Sequence, residues 1–165
     1  IAVGDHQIYS YDGTAWTEET EAGIGFHYYY GASGTTGNVF VSGDQGVLLQ
    51  YAAGGWEYVS QSGVTDKKLF DVWSSGDFAI AVGDQGEVVR YDGTNYSLMT
   101  SGTSNDLEGV WGSSTDDVFA VGQNGTIIHY DGNPSMTWEA MRTGAASGKV
   151  STSFMSASMR ASISR

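Results

Sequence analysis

The sequence has no cysteine, one proline and few basic residues, and each scarcity excludes a class of protein. Without cysteine there are no disulfides, thiolate metal sites or cysteine nucleophiles. Seven Lys and Arg against nineteen Asp and Glu give a net charge of −12, which repels the phosphates of a nucleic acid partner. Because only 16% of the residues are charged, the charged faces of a helical bundle or coiled coil are missing too.

Long aliphatic runs are also missing. Residues 22–43 carry no formal charge, but six of them are glycine and many others are Tyr, Thr or Ser. Such a segment has too few aliphatic side chains to span a bilayer. We therefore expect no membrane insertion.

Glycine and aromatic residues are abundant, and they recur in a repeat of about forty residues. One glycine of each repeat follows the last by 39, 40 and 39 residues. A tyrosine comes seven or eight residues after each glycine, and a Trp or Tyr follows it. The shared positions are Gly4, Gly43, Gly83 and Gly122, then Tyr11, Tyr51, Tyr91 and Tyr130, then Trp16, Trp56, Tyr96 and Trp138.

Each repeat has room for four short strands joined by Gly, Asp and Asn turns. In the third repeat the expected strands are 69–73, 78–82, 87–91 and 96–99. Four antiparallel strands in forty residues are typical of a β-propeller blade. We predict an all-β propeller of four blades in one domain, 1–165, with repeats at about 1–22, 23–66, 67–105 and 106–144. Trp73 and Trp111 are expected between blades, and Tyr28 to Tyr30 in that place in the second repeat.

The first repeat begins at its second strand, so its innermost strand is missing. Near the other end, Met155, Ala157, Met159, Ala161 and Ile163 alternate with Ser and Arg, which is the pattern of a half-buried strand. We predict that residues 149–165 complete the first blade and close the ring. A closed ring would be a monomer, and a half-ring would be a dimer. The basic residues of this end follow the last acid, Glu139, and are expected to complement the acidic body: Arg142, Lys149, Arg160 and Arg165.

The repeats resemble those of a known class of propellers. Asp71-Val-Trp-Ser-Ser, Met99-Thr-Ser-Gly-Thr and the run from Asp117 to Gly132 are similar to bacterial BNR/Asp-box-like repeats and to photosystem II assembly-factor-like propellers. In that class the Asp-box is a structural turn between outer strands. The resemblance therefore implies that Asp12, Asp92 and Asp131 are folding elements, and it suggests an extracellular or cell-surface location.

Catalytic patterns are not evident. The resemblance to sialidase repeats would imply three arginines gripping a carboxylate, but only Arg90 and Arg142 precede the tail. His6, His27 and His129 lack the spacing of a local zinc pair, and no nucleophile elbow, P-loop or dinucleotide fingerprint occurs. We therefore expect a protein that is not an enzyme, with a glycoside hydrolase-like fragment as the third alternative.

The turns between the second and third strands form the candidate site. Propeller topology places them on one face, where an acidic, oxygen-rich surface is a candidate for a protein, another ligand or calcium. No other cofactor is expected. The alternative function is a carbohydrate-binding lectin that uses exposed aromatic side chains such as Tyr58, Tyr96 or Trp138. The candidate turn residues are Asp5, Asp44, Gln45, Asp84, Gln85, Gln123 and Asn124.

Overall fold

The structure, a computed structural model, describes residues 1–19, 25–133 and 135–142. Its strands form four antiparallel sheets in chain order, the first with three strands and the others with four. The four-bladed, all-β propeller fold is thereby confirmed. No helix in the described part of the chain is long and apolar enough to cross a membrane. The sheets are blade 1 (β1 Ala2–Gly4, β2 Gln7–Tyr11, β3 Trp16–Glu18), blade 2 (β4 Tyr29–Thr35, β5 Asn38–Gly43, β6 Leu48–Ala52, β7 Gly55–Tyr58), blade 3 (β8 Leu69–Ser75, β9 Phe78–Gly83, β10 Val88–Tyr91, β11 Tyr96–Leu98) and blade 4 (β12 Leu107–Ser114, β13 Asp117–Gly122, β14 Thr126–Tyr130, β15 Glu139–Arg142).

The innermost strands β4, β8 and β12 pack side by side and hold the blades together. Strand β1 corresponds to the second strands β5, β9 and β13, because it pairs with β2 as they pair with their third strands. Within the described residues, blade 1 therefore lacks an innermost strand, as the sequence indicates. The segment predicted to supply it, residues 149–165, lies outside the described residues.

Apolar side chains alternate along the strands, so each inner blade has two buried faces and a separate cluster fills each gap between blades. Ile8 and Trp56 meet between blades 1 and 2, Phe40 and Val89 between blades 2 and 3, and Val82 and Ile128 between blades 3 and 4. Burial of these side chains is the main stabilising interaction between blades.

The aromatic side chains expected between blades are confirmed at Trp73 but not at the corresponding position of blade 2. Trp73 does pack between blades 3 and 4, since its ring would lie 2.9 Å from a Cβ added to Gly112. The matching position in blade 2 is Ser33, which lies opposite Phe40 as Trp73 lies opposite Ile80. The strand register puts Tyr28 to Tyr30 at the other end of the innermost strand, so the prediction is wrong for the exposed Tyr28 and Tyr30, whereas Tyr29 is buried in the cluster between blades 1 and 2.

The repeated aromatic pair of each blade faces the preceding blade. Tyr96 shows this directly, because its hydroxyl donates to the carbonyl of Gly46 in blade 2 at 2.8 Å. The corresponding pair in blade 1, Tyr11 and Trp16, is 51% and 57% exposed. Blade 1 has no preceding blade among the described residues, so this apolar face stays in contact with solvent.

In blades 3 and 4, the shared glycine at the end of the second strand lies in close contact with the backbone just before the innermost strand. A Cβ on Gly83 would lie 1.8 Å from the carbonyl oxygen of Lys68, and one on Gly122 would lie 2.0 Å from that of Asp106. Those carbonyls precede the innermost strands β8 and β12. They also accept hydrogen bonds from Asp84 N and Gln123 N, at 3.0 and 2.9 Å, so the approach is fixed. Glycine is required here by space and not by backbone angle.

The turns between the two outer strands are closed by aspartate. Asp92 Oδ1 accepts hydrogen bonds from Asn95 N at 2.8 Å and Thr94 N at 3.2 Å, and Asp12 and Asp131 accept similar bonds. The Asn95 backbone bond, followed by the hydrogen bond from Arg90, lowers the pKa of Asp92 to about 2. These carboxylates stabilise turns, in agreement with the folding role expected for them.

Replacing Gly83 by alanine should destabilise the fold by about 2–3 kcal/mol, because the added methyl group collides with the Lys68 carbonyl. The measurement is the free energy of unfolding in urea. Gly109→Ala is the control, since its nearest neighbour would be Val121 Cγ2 at an ordinary 3.4 Å. If both variants lose the same free energy of unfolding, the close contact with the Lys68 carbonyl is not the reason that position 83 requires glycine.

Replacing Asp92 by asparagine should cost about 1 kcal/mol at pH 7, because charge-assisted hydrogen bonds are weakened. The folded pKa of about 2 lies below the unfolded value of about 3.9, so the carboxylate stabilises the protein above the unfolded pKa. That stability is lost as the pH falls through the folded pKa. Unfolding free energies at pH 7, 4 and 2.5 should therefore converge for the two proteins. The control is Asp66→Asn, because Asp66 is an exposed carboxylate on a connection between blades. If the difference in unfolding free energy between the unmodified protein and Asp92→Asn stays constant with pH, the Asp92 carboxylate does not stabilise the turn in this way.

Candidate functional site

The four candidate turns share one unusual backbone geometry. Each contains a non-glycine residue in the left-handed region: His6, Gln45, Gln85 and Asn124, with φ between 53° and 59°. This conformation costs on the order of 1 kcal/mol per residue and persists only where the surroundings impose it. The side chains of Gln45, Gln85 and Asn124 are exposed at the tips of their turns.

Hydrogen bonds join these turns to the connections between blades. Within blade 2, Asp44 N donates to the carbonyl of Tyr28 at 2.9 Å. Between blades, Gly46 N donates to the carbonyl of Lys67 at 2.7 Å, and Gln85 N donates to Asp106 Oδ1 at 2.8 Å. The structure thus brings the turns and the connections together on one surface, which we call the turn face.

The candidate side chains differ in how tightly they are held. Asp106 Oδ2 accepts a hydrogen bond from Gln123 Nε2 at 2.9 Å, and Asn124 Nδ2 donates to Asn105 Oδ1 at 3.0 Å. Both blade 4 residues therefore have fixed positions. Asp106 was not among the predicted site residues, although it holds the turns of blades 3 and 4 together.

At the blade 1 end of the turn face, the candidate aspartates pair with histidines. Asp44 Oδ1 lies 2.9 Å from His27 Nδ1, and both side chains are largely buried. Asp5 lies 3.2 Å from His6 Nε2 but is itself exposed. Asp44 thus anchors the connection, whereas Asp5 remains available to a partner.

A cluster of aromatic rings lies beside these pairs, and the sequence did not identify it. His6 lies 5.2 Å from Phe26 and 4.4 Å from Tyr28 between ring centroids. Phe26 is 89% exposed, the largest exposure of any large apolar side chain described. No sequence signal identifies this cluster, since Phe26 lies on a connection and Tyr28 to Tyr30 are identical residues of which only Tyr29 is buried.

Two tyrosine hydroxyl groups hold the connection beneath the cluster. Tyr29 Oη donates to the carbonyl of Gly25 at 2.8 Å, and Gly25 N donates to Tyr58 Oη at 2.9 Å. Burial, with smaller contributions from Tyr58 and Asp44, raises the pKa of Tyr29 to about 12. Tyr29 is therefore a neutral donor at any physiological pH, and it acts as structural support and not as an acid or base.

Among residues 1–19, 25–133 and 135–142, no three His, Asp or Glu side chains lie close enough together to hold a metal ion. Arg90 lies away from this face, bonded to Asp92 at 2.9 Å and stacked 5.2 Å over Phe78.

The lectin alternative loses two of its three aromatic side chains. Tyr96 and Trp138 are buried against the preceding blade, so the expectation that they are exposed is wrong. Their register makes them core residues, and a single sequence does not distinguish a buried outer-strand aromatic from an exposed one. Tyr58 is exposed, but its hydroxyl accepts the hydrogen bond from Gly25 N.

No protein-family model and no curated protein matches the chain. Among solved structures, the fold is similar to YCF48 bound to D1 peptide, with a TM-score of 0.62 and 15% identity over 85% of this chain and 49% of that one. It is also similar to YCF48 from Cyanidioschyzon merolae, with a TM-score of 0.54 and 19% identity over 68% of this chain and 39% of that one. The chain thus spans half or less of the solved chains it matches. YCF48 is a photosystem II assembly factor with a β-propeller fold, so the likeness drawn from the repeats is confirmed at the level of fold.

Proposed function

We propose that the protein is a non-enzymatic scaffold that binds a segment of another protein on its turn face. The observation that carries this proposal is Phe26, an almost fully exposed aromatic side chain on a rigid, hydrogen-bonded surface. An exposed aromatic ring in contact with further rings is typical of a binding hot spot. The similar fold of YCF48 bound to a D1 peptide supports a protein partner, because it is a propeller that holds a peptide.

The charge of the turn face indicates the chemistry of the partner. Asp5, Asp66 and Glu108 are exposed beside the turns or at the adjacent end of an innermost strand. Of the lysines nearby, Lys67 is paired with Glu87 at 2.9 Å. The surface is therefore acidic with an aromatic cluster at its blade 1 end, which suits an extended segment that carries Lys or Arg together with an apolar side chain.

Rigid turns lower the entropic cost of binding compared with a mobile surface. The backbone of Gln45, Gln85 and Asn124 is fixed by their blades, and the Asn124 side chain is held by Asn105, so the turns lose little backbone freedom when a partner binds. Their amide groups can donate to and accept from a peptide backbone without any particular sequence. Specificity then depends on the aromatic cluster and on the surrounding carboxylates.

Phe26→Ser should weaken peptide binding at least tenfold, since an exposed aromatic anchor is removed. The measurement is fluorescence anisotropy with two sets of labelled twelve-residue peptides that share apolar residues and differ in carrying Lys and Arg or Asp and Glu. We expect binding to the basic set only, and weaker binding at 300 mM than at 50 mM salt.

The matched control is Trp16→Ser, because Trp16 is also an exposed aromatic side chain but lies on the outer face of blade 1. It should bind the basic set as the unmodified protein does. The proposal is wrong if neither peptide set binds, or if both substitutions reduce the affinity equally.

A further inference from the structure

The innermost strands β4, β8 and β12 each contain a one-residue bulge at the same position. The residue before each bulge pairs with the shared glycine of the second strand, so the bulge lies at the end of the strand that meets the turn face. A bulge leaves its extra residue out of the ladder and re-aims that side chain. The extra residues are Tyr30 in β4, Phe70 in β8 and Glu108 in β12, and we call them the bulge row.

The bulge row is more exposed than the positions beside it. Tyr30 is 38% exposed, Glu108 is exposed and Phe70 is half-buried. The residue before each bulge is instead an apolar side chain buried in a cluster between blades, and these residues are Tyr29, Leu69 and Leu107. The core therefore depends on the residue before each bulge, and the side chains of the bulge row can contact a partner.

Two members of the bulge row form an aromatic pair across blades 2 and 3. The rings of Tyr30 and Phe70 meet edge to face, with 5.9 Å between their centroids and 67° between their planes. Aromatic rings carry negative charge on their faces, which attracts a Lys ammonium or an Arg guanidinium group. The pair therefore offers a contact for a cation that also has an apolar stem.

A buried carboxylate lies directly after the bulge of β8. Asp71 Oδ2 accepts a hydrogen bond from Val110 N at 2.9 Å, and Oδ1 accepts one from Val72 N at the same distance. The Oδ2 atom would lie 3.9 Å from a Cβ added to Gly109, the residue after Glu108, so Asp71 lies against the backbone that carries Glu108. Burial raises the pKa of Asp71, although the two backbone hydrogen bonds oppose this effect.

The charge around the bulge row is negative. In the part of the chain that the structure describes, neither Asp71 nor Glu108 forms an ion pair with a basic side chain. The two lysines before β8 are Lys67, which pairs with Glu87 at 2.9 Å, and Lys68, which is exposed. One exposed lysine thus stands against two carboxylates, so the bulge row favours a cation over an anion.

We propose that the bulge row binds one Lys or Arg side chain of the partner segment, with the cationic group against the Tyr30 and Phe70 rings and near the Glu108 carboxylate. This inference rests on the proposed function and adds a second contact to the one at Phe26. Tyr30 follows Phe26 by four residues, which span at most about 14 Å. An extended peptide covers that distance in about four residues. The basic residue should therefore lie about four residues from the apolar residue that contacts Phe26.

A double-mutant cycle between protein and peptide tests this contact. In the tightest-binding peptide of the basic set, each Lys or Arg is replaced in turn by Met, and affinity is measured by fluorescence anisotropy. Tyr30→Ser and Glu108→Gln should each weaken binding of the original peptide about two- to fivefold. One Met replacement should cost a similar factor with the unmodified protein and clearly less with Tyr30→Ser or Glu108→Gln, because the two changes remove the same interaction.

The matched controls are Tyr11→Ser and Glu57→Gln, which remove an exposed tyrosine and an exposed carboxylate on outer parts of blades 1 and 2. Both should bind the original peptide as the unmodified protein does. Since Tyr30 and Glu108 are exposed, their variants should also keep the melting temperature of the unmodified protein.

The inference is overturned if Tyr30→Ser and Glu108→Gln keep full affinity, if they lose no more than their controls, or if no Met replacement is coupled to them. When the basic peptides still bind and Phe26→Ser still weakens them, such a result leaves the proposed function in place. If no basic peptide binds the unmodified protein, the proposed function fails and this inference fails with it.

Discussion

The contact on which this structure most depends is the hydrogen bond between the turn after each second strand and the carbonyl before the innermost strand. In blades 2, 3 and 4 that carbonyl belongs to Tyr28, Lys68 and Asp106. The bond draws the second strand so close that only glycine fits at its end. One backbone contact thus sets the repeat and the packing of each complete blade, whereas the left-handed turn does not depend on it, because His6 of blade 1 has a φ of 59° without this contact.

Most of the fold could be predicted because its determinants are local and repeated. The spacing of Gly43, Gly83 and Gly122 reports a backbone contact that every complete blade must make. The expected strands of the third repeat agree with the observed Leu69–Ser75, Phe78–Gly83, Val88–Tyr91 and Tyr96–Leu98 to within two residues. The first two strands are one or two residues longer than expected, as where Ser75 pairs with Phe78, and the last two are each one residue shorter.

The candidate site was harder to predict, since it depends on which way individual side chains point. Tyr28 to Tyr30 look alike in sequence, but the alternation of side chains along the chain buries Tyr29 and exposes its two neighbours. Phe26 lies on a connection, where no strand period indicates its exposure. Trp138 and Trp16 occupy the same position in their repeats, and only the presence of a preceding blade makes the first buried and the second exposed.

The exposed faces of blade 1 and blade 4 are explained by the way the inner blades pack against one another. In blades 2 to 4 the outer aromatic pair packs against the preceding blade. Tyr11 and Trp16 are the corresponding pair in blade 1. The opposite face of blade 4 carries Val121 and Ile127, at the register where Val82 and Val88 of blade 3 are buried by blade 4. The first and last faces are therefore the two complementary halves of one interblade contact.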